Sequence, residues 1–345
     1  MISAGEQARP DIVRAVRAPS TISTNAGVVG TNVALALATL VVMLATAAIF
    51  NQTLEENDHE IRAFLSSLAK PFAAAAASLA PAAGAIGREG LQIRWLGPVI
   101  ALGLAALLFG LEDLSFSFSD STIVLTLSFL VTFAVLLYVY EGGQLLMTNR
   151  YGLPATIRVF PAGVAIAIIC VALSRAQGFE PGLVFGFVAA HSLTVPTVMS
   201  KRQLGHQVFW PMLVLLGVSV VAWLLADPAR ELAEDGDTMW AALPEGIAIG
   251  LFLAGVEGIF LQMIPLRFMD GHKLITWNKA AWLFIAVASG FLFWHAMMNE
   301  EKSSLDALGQ TSTMTLVILM GTALLIAAAT HTFFRIRNGR TPEVV

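Results

Sequence analysis

The sequence predicts an all-α polytopic membrane protein with about seven to nine transmembrane helices. Of its 345 residues, 57% are hydrophobic and only 13% are charged, whereas charged residues make up about 25% of an ordinary soluble domain. The apolar residues also gather into runs close to the roughly 20 residues that cross a bilayer as a helix. A soluble protein of this composition has too few polar side chains to cover its surface, so a lipid bilayer is the solvent that fits.

Seven apolar runs predict membrane spans, at 28–50, 95–111, 122–148, 208–226, 240–264, 279–297 and 312–334. Two further runs, 159–174 and 181–198, are short or are broken by prolines and glycines. They predict either a pair of crossings or a re-entrant unit, and the second alternative would place membrane re-entrant β or irregular structure near 152–200.

The chain reads as a polar N-terminal tail (1–27), a single integral membrane domain (28–334) and a basic cytoplasmic tail (335–345). The N-terminal tail has no early apolar core, so we expect no cleavable secretory signal peptide. The net charge of −4 brings no broad basic face, which argues against nucleic acid as a partner. The lone Cys170 excludes an internal disulfide and a cysteine-rich metal site. The expected partner is the bilayer, and the expected location is the cell membrane with several passes.

Residues 51–92 form the one long stretch that is not predicted to span. The stretch opens with acidic residues and continues with alanines and two prolines. This pattern favours an interfacial amphipathic connector. The alternative is that 63–86 dips into the membrane.

Lysine and arginine in short loops predict the orientation, because they favour the cytoplasmic side. The basic loops are 149–158, 199–206, 265–279 and the C-terminal tail, and the acidic or neutral loops are 112–120, 227–239 and 299–310. The signs alternate correctly if 159–198 enters and leaves on the cytoplasmic side. The N-terminus fits less well, because its arginines favour the inside whereas two spans before residue 112 would put it outside.

Ionisable side chains are costly in a membrane, so each one there is a functional candidate. They concentrate in two places. One lies at the end of the 122–148 run, with Tyr140, Glu141 and Gln144; the other lies in and after the 240–264 run, with Glu257, Gln262, Pro265, Asp270, Gly271, His272 and Lys273. Both ends should face the cytoplasm, so Glu141 and Asp270 are expected at similar depth.

The spacing at residues 140–144 is that of a metalloprotease helix. In the frame His-Glu-x-x-His, the two histidines bind zinc and the glutamate activates water. This chain has Tyr140-Glu141-Gly-Gly-Gln144. The position of the general base is therefore filled, while both ligand positions hold other residues.

Two stretches of sequence resemble the site-2 protease family of intramembrane zinc proteases. Residues 145–163 read LLMTNRYGLPATIRVFPAG, similar to the turn and membrane-dipping strands that follow the family's active helix. Residues 262–271 read QMIPLRFMDG, against the family pattern Asn-x-x-Pro-x-x-x-Leu-Asp-Gly. The resemblance covers about residues 122–280. It implies that Asp270 corresponds to the third zinc ligand, Glu141 to the catalytic base, and Tyr140 and Gln144 to the zinc-binding histidines.

The departures from the family pattern bear directly on the chemistry. A catalytic zinc needs three protein ligands, and only Asp270 survives. Tyrosine is a poor ligand when neutral, and a glutamine carbonyl is a weak one. We therefore expect no zinc and no proteolysis. The preferred interpretation is a pseudoprotease that binds or regulates another membrane protein without cleaving it.

Two alternatives stay open. The first is an active intramembrane metallohydrolase with a rebuilt zinc site, in which Asp270 and His272 are joined by Glu141 and by His191. The second is a transporter or channel component that uses Glu257, Glu141 and Asp270 as a proton or ion relay. Near Glu257, the pair Gly246 and Gly250 also predicts a close approach between helices.

Overall fold

The computed structural model describes residues 2–88, 96–111, 119–159, 189–194, 198–298 and 311–337, with the isolated positions 168, 171, 172 and 176. Six helices in this part of the chain are long and apolar enough to cross a membrane: Ala26–Ile61, Asp120–Arg150, Lys201–Asp235, Met239–Gln262, Lys279–Met298 and Leu316–Arg337. The predicted helical membrane architecture is therefore confirmed. The total of seven to nine crossings stays a prediction.

The helices are α1 (Ala4–Gln7), α2 (Asp11–Ala15), α3 (Ala26–Arg88), α4 (Leu96–Gly110), α5 (Asp120–Leu136), α6 (Gly142–Arg150), α7 (Lys201–Leu224), α8 (Ala226–Asp235), α9 (Leu243–Gln262), α10 (Asp270–Trp277), α11 (Lys279–Leu292) and α12 (Thr311–Arg337). Two π-helical turns, Leu137–Glu141 and Phe293–Met298, continue α5 and α11. Two short 3₁₀ turns lie at Pro19–Thr21 and Met239–Ala242.

Six of the seven predicted spans coincide with these long helices. The seventh, 95–111, contains α4, whose 15 described residues extend about 22 Å. The runs 159–174 and 181–198 lie almost wholly outside the described residues.

The stretch 51–92 proves to be helical over most of its length. The helix α3 continues to Arg88, and its one break in helical geometry is at Asn57, where φ is −132° and ψ is 25°. The Asn57 side chain donates to the Thr53 carbonyl at 3.0 Å. The first span therefore passes into the connector across a kink at Asn57, with helix on both sides of it.

A two-stranded antiparallel sheet lies inside the segment for which the sequence predicted re-entrant β or irregular structure. Strand β1 (Ala155–Val159) pairs with β2 (Ala189–Leu193). The helices that flank this segment, α6 and α7, are in contact. Gln207 Nε2 on α7 donates to Thr148 Oγ1 on α6 at 2.7 Å. The end of α6 and the start of α7 thus lie at the same end of the bundle, and the re-entrant segment stays a prediction.

Residues before and after the first span contact opposite ends of the bundle. At the end that holds Asp270, the Asn51 side chain donates to the Pro265 carbonyl and accepts from the Arg267 amide. At the opposite end, which holds Glu245, Trp223 Nε1 donates to the Arg17 carbonyl at 2.6 Å. The N-terminal segment therefore lies at the end opposite Asp270, the arrangement that two crossings before residue 112 produce.

Small residues bring the central helices together. A Cβ atom at Gly250 would lie 2.6 Å from Thr132 Oγ1, and one at Gly246 would meet the Ser128 hydroxyl. Both contacts join α9 to α5. The helix approach predicted from the spacing of Gly246 and Gly250 is thus present, and it holds α9 at the centre of the bundle.

Candidate functional site

Five polar side chains from two distant parts of the sequence meet at the Asp270 end of the bundle. We call them the Asp270 cluster, which consists of Tyr140, Gln144, Gln262, Asp270 and Lys273. Tyr140 and Gln144 are each 1% exposed. The cluster therefore sits inside the protein, where polar groups are costly unless they are paired.

The π-helical turn Leu137–Glu141 places the first half of the cluster. A π turn holds one more residue than an α turn and often occurs at functional sites. It precedes α6 directly, so Tyr140 and Gln144 lie on successive turns of one continuous helix. Both side chains thereby reach the same carboxylate.

Gly271 places the second half of the cluster. A Cβ atom at this residue would lie 2.6 Å from the Met263 carbonyl oxygen and 2.7 Å from that of Gln262. These are backbone atoms at the end of α9, so they cannot turn aside as a flexible side chain can. The absence of a side chain at Gly271 lets α10 begin against the end of α9, which brings Asp270 beside Tyr140.

Three donors surround the Asp270 carboxylate. Gln144 Nε2 donates to Oδ2 at 3.1 Å, Lys273 Nζ donates to Oδ1 at 2.6 Å, and the Tyr140 hydroxyl shares its hydrogen between Oδ2 and Gln262 Oε1, the latter at 3.1 Å. Burial raises the pKa of Asp270. The Lys273 ammonium and the hydrogen bonds from Lys273, Tyr140 and Gln144 lower it by more than burial raises it, so the pKa lies below its ordinary value. The carboxylate is therefore held in its charged form.

This donor set does not fit zinc. The Tyr140 hydroxyl and the Gln144 amide direct hydrogen atoms toward Asp270, whereas zinc ligands must direct lone pairs toward the metal. The Lys273 ammonium adds a positive charge next to the only carboxylate of the cluster. Across the described parts of the chain, no three His, Cys, Asp or Glu side chains form a group that could hold a metal ion.

The rebuilt metal site fits no better. His272 is half-buried, and its ring is not among the donors that reach Asp270 in the described structure. The backbone of His191 pairs with Ile157 in the sheet, while its side chain lies outside the described part. Glu141 is buried, with 3% exposed, in the same π turn as Tyr140.

Glu257 lies apart from the Asp270 cluster. It precedes Gln262 by five residues on α9, which is about 7.5 Å along the helix axis. The side chain is 1% exposed and lines a mainly apolar cavity of about 160 Å³ between α3, α9 and α12. The structure thus brings together the residues of the two motifs but not Glu257, so it does not join the three carboxylates of the relay hypothesis.

A second polar site, which the sequence did not reveal, lies at the opposite end of the bundle. Arg9 Nε and Nη2 donate to the two oxygens of Glu245 at 2.7 and 2.8 Å, and Glu245 is fully buried. Arg230 Nε adds a third bond at 3.2 Å. A glutamate at the start of an apolar helix was the available signal, since such a group needs a cationic partner.

Comparison of the chain with protein-family models, with curated proteins and with solved structures finds no match. The resemblance to site-2 proteases therefore depends on the two motifs alone. The geometry adds that Tyr140, Gln144, Gln262 and Asp270, which come from both motifs, are in direct contact.

Proposed function

We propose that this chain is a site-2-protease-like membrane protein that has lost the zinc centre and binds or regulates another membrane protein without cleaving it. One observation carries the proposal. The positions that the resemblance assigns to two zinc ligands, Tyr140 and Gln144, lie against the position assigned to the third, Asp270, but as hydrogen-bond donors. This contact between the three positions supports a relation to the protease site, with hydrogen bonds in place of metal bonds.

In this proposal the Asp270 cluster is a latch between two parts of the bundle. A catalytic metal would supply a Lewis acid and an activated water, and the cluster offers neither. What it offers is a tie between the α5–α6 helix and the α9–α10 corner, with most of its polar atoms paired. Gln144 Oε1 is the exception, since it is buried with no hydrogen-bond partner among the described residues.

The position of the sheet supports a role in binding a partner. Strand β2 contacts the π turn, and both strands contact α6, so the sheet lies next to the cluster. In its described part the sheet has two strands, and each therefore has an outer edge. An edge strand offers main-chain donors and acceptors to an extended segment of another protein.

We propose that a partner's transmembrane segment, locally unwound, pairs there. By the charge pattern, this end faces the cytoplasm of a multi-pass protein in the cell membrane.

Restoring the zinc ligands tests the relation to the protease family. We expect the double variant Tyr140→His, Gln144→His to bind about one zinc per chain, because the two imidazoles would then face Asp270. Elemental analysis of the purified protein measures this, and addition of Asp270→Asn should abolish the binding. Stoichiometric zinc in the unaltered protein would refute the loss of the metal centre. A folded double variant without zinc would refute the family-like geometry.

Site-specific crosslinking tests the binding function. A photoreactive residue at Tyr138, which is 64% exposed in the π turn, should capture an uncleaved integral membrane protein in native membranes. The same group at Leu325, which is 70% exposed on α12, is the matched control and should not capture that protein. A captured fragment cut within its transmembrane segment would show proteolysis instead of binding.

A further inference from the structure

An open cavity of about 420 Å³ lies between α6 and α7 at the Asp270 end of the bundle. We call it the α6–α7 cavity. Its lining is one thioether, one guanidinium, one phenol, one imidazole and one indole, from Met147, Arg150, Tyr151, His206 and Trp210. Among the described residues, this lining contains one cation and no carboxylate. The proposed function assigns no role to these five residues.

The spacing of the lining residues shows that each helix turns one face to the cavity. Met147, Arg150 and Tyr151 are spaced i, i+3 and i+4 at the end of α6, and His206 and Trp210 are spaced i and i+4 on α7. Residues with these spacings are neighbours on a helix surface. Arg202, which is exposed, precedes His206 by four residues and so extends the α7 face with a second cation.

The polar groups of the cavity are held in place before any ligand binds. The Tyr151 hydroxyl and His206 Nδ1 lie 3.0 Å apart and form a hydrogen bond. The His206 ring also meets the Trp277 ring edge to face, with 4.9 Å between the centroids. Gly205 permits this contact, since a Cβ atom there would collide with the Trp277 ring. Such fixed groups lose little conformational entropy on binding a ligand.

The cavity lies where a membrane-spanning helix meets the headgroup layer. Arg150 ends the span Asp120–Arg150, and Arg202 lies at the start of the span Lys201–Asp235. Trp210 follows Lys201 by nine residues, which is about 13 Å along α7, and it is 48% exposed. The cations therefore lie at headgroup level, while Trp210 extends toward acyl-chain level. This polarity matches that of a phospholipid.

We propose that the α6–α7 cavity binds the phosphate-bearing headgroup of an anionic phospholipid. Arg150 supplies the planar, charged donor that phosphate oxygens accept most strongly, with Tyr151 and His206 as neighbouring polar groups and Arg202 as a second positive charge. Basic pockets between transmembrane helices on the cytoplasmic side are suited to such headgroups. Met147 and Trp210 pack against the upper part of an acyl chain.

Native mass spectrometry of the full chain, released from nanodiscs of defined composition, tests this proposal. We expect more retained phosphatidylglycerol than phosphatidylcholine, and a loss of about tenfold in phosphatidylglycerol affinity in Arg150→Gln, equivalent to about 1.4 kcal/mol. Arg335→Gln is the matched control. It removes an exposed guanidinium from the same end of the bundle, on α12 outside the cavity, and should leave lipid retention unchanged.

Two further measurements fix the site and the source of the phosphate. Phosphatidylglycerol with brominated chains should quench the fluorescence of the parent protein more than that of Trp210→Phe. Arg202→Gln, a change at an exposed position, should weaken retention about threefold. Inorganic phosphate at millimolar concentration should not displace the lipid.

Three results would overturn the proposal. The first is equal retention of the two lipids. The second is unchanged retention of phosphatidylglycerol in both Arg150→Gln and Arg202→Gln. The third is displacement of the lipid by inorganic phosphate, since the cavity would then be a site for free phosphate.

Discussion

Tyr140 stands where the resemblance to site-2 proteases implies a zinc-binding histidine, and its chemistry is the opposite of a ligand's. Its side chain is 1% exposed, and its hydroxyl donates toward Asp270 and Gln262. A histidine ligand would offer a lone pair to a cation. The tyrosine offers a proton to an anion, so the same position now joins the helices through a hydrogen bond.

The Tyr140→Phe change tests the strength of this bond. We expect it to lower the free energy of unfolding by about 1–3 kcal/mol, because Gln262 and Asp270 lose a donor in a buried site. Tyr138→Phe removes the same hydroxyl from a side chain that is 64% exposed and should change stability by less than about 0.5 kcal/mol. Thermal unfolding in detergent micelles measures both, and equal effects would contradict the latch.

Asp270 should make the latch sensitive to acid. Its folded pKa lies below the ordinary value of 3.8, so the charged carboxylate contributes stability that is fully present above about pH 4. This contribution is lost as the pH falls through the lower folded pKa. Asp270→Asn should therefore flatten the melting temperature against pH below about pH 4. A variant that loses stability in acid as the parent does would show that another group is responsible.

The residues of the Asp270 cluster could be predicted because the two motifs align them with the zinc-site positions of the site-2 protease pattern. The Arg9–Glu245 pair could not, since 236 residues separate its members and no local pattern links them. Lys273 can be predicted as a donor from its nearness to Asp270 in sequence. The same nearness would favour His272, whose ring is not among the donors that reach Asp270 in the described structure.

At the scale of elements, glycines set how closely helices meet. Gly271→Ala should destabilise the protein, because the added Cβ atom would collide with the carbonyl oxygens of Met263 and Gln262. Gly258→Ala on α9 is the control, since a Cβ atom there meets nothing within 4 Å. Alanine favours a helix by about 1 kcal/mol over glycine, so Gly258→Ala should be neutral or stabilising. Melting temperatures that fall equally in both variants would refute this assignment.

Hydropathy predicted the long helices well, because a bilayer demands continuous apolar runs of fixed length. It could not predict the π-helical turns Leu137–Glu141 and Phe293–Met298. Such a turn changes the backbone hydrogen bonding of a helix without changing its apolar character. It also did not show that α3 continues to Arg88, because the acidic residues between 55 and 60 interrupt the apolar run.

At the scale of the whole molecule, the N-terminal segment is fastened to the Glu245 end of the bundle. Burial lowers the pKa of Arg9. Its bonds to Glu245 and Glu6 raise the pKa by more than burial lowers it, so the pKa lies above its ordinary value. Arg9 therefore stays charged, and its guanidinium balances the fully buried Glu245 carboxylate. The tail predicted from composition is thus a packed part of the fold.

Removing the guanidinium should loosen this end of the bundle. Arg9→Ala leaves Glu245 with Arg230 alone and should cost about 3 kcal/mol, as expected for breaking a buried ion pair. Arg14→Ala removes a side chain that is 42% exposed and pairs with Glu6, and it should cost less than about 1 kcal/mol. Proteolysis within residues 2–25 should rise in Arg9→Ala only. Equal resistance to proteolysis in Arg9→Ala and Arg14→Ala would contradict the role of the Arg9–Glu245 ion pair in fastening the segment.

The two chain ends should lie on opposite sides of the membrane. Ile2 and Ile336 are 65% and 77% exposed and lie at opposite ends of the bundle. In a Cys170→Ser background, Ile2→Cys should react with an impermeant maleimide on intact cells, and Ile336→Cys only after permeabilisation. Labelling of both from one side would contradict the arrangement, whereas the reverse pattern would invert the orientation predicted from loop charges.

The fastening of the N-terminal segment also has a consequence for biosynthesis. The Arg17 amide donates to the Ala296 carbonyl at 3.3 Å, and Arg9 binds Glu245, so this segment completes its contacts with residues that are made much later. At about 5–20 residues per second, the ribosome needs roughly 12–50 s to reach Glu245 after Arg9. During that interval the segment is without its partner, so it can dock only after α9 has begun to emerge.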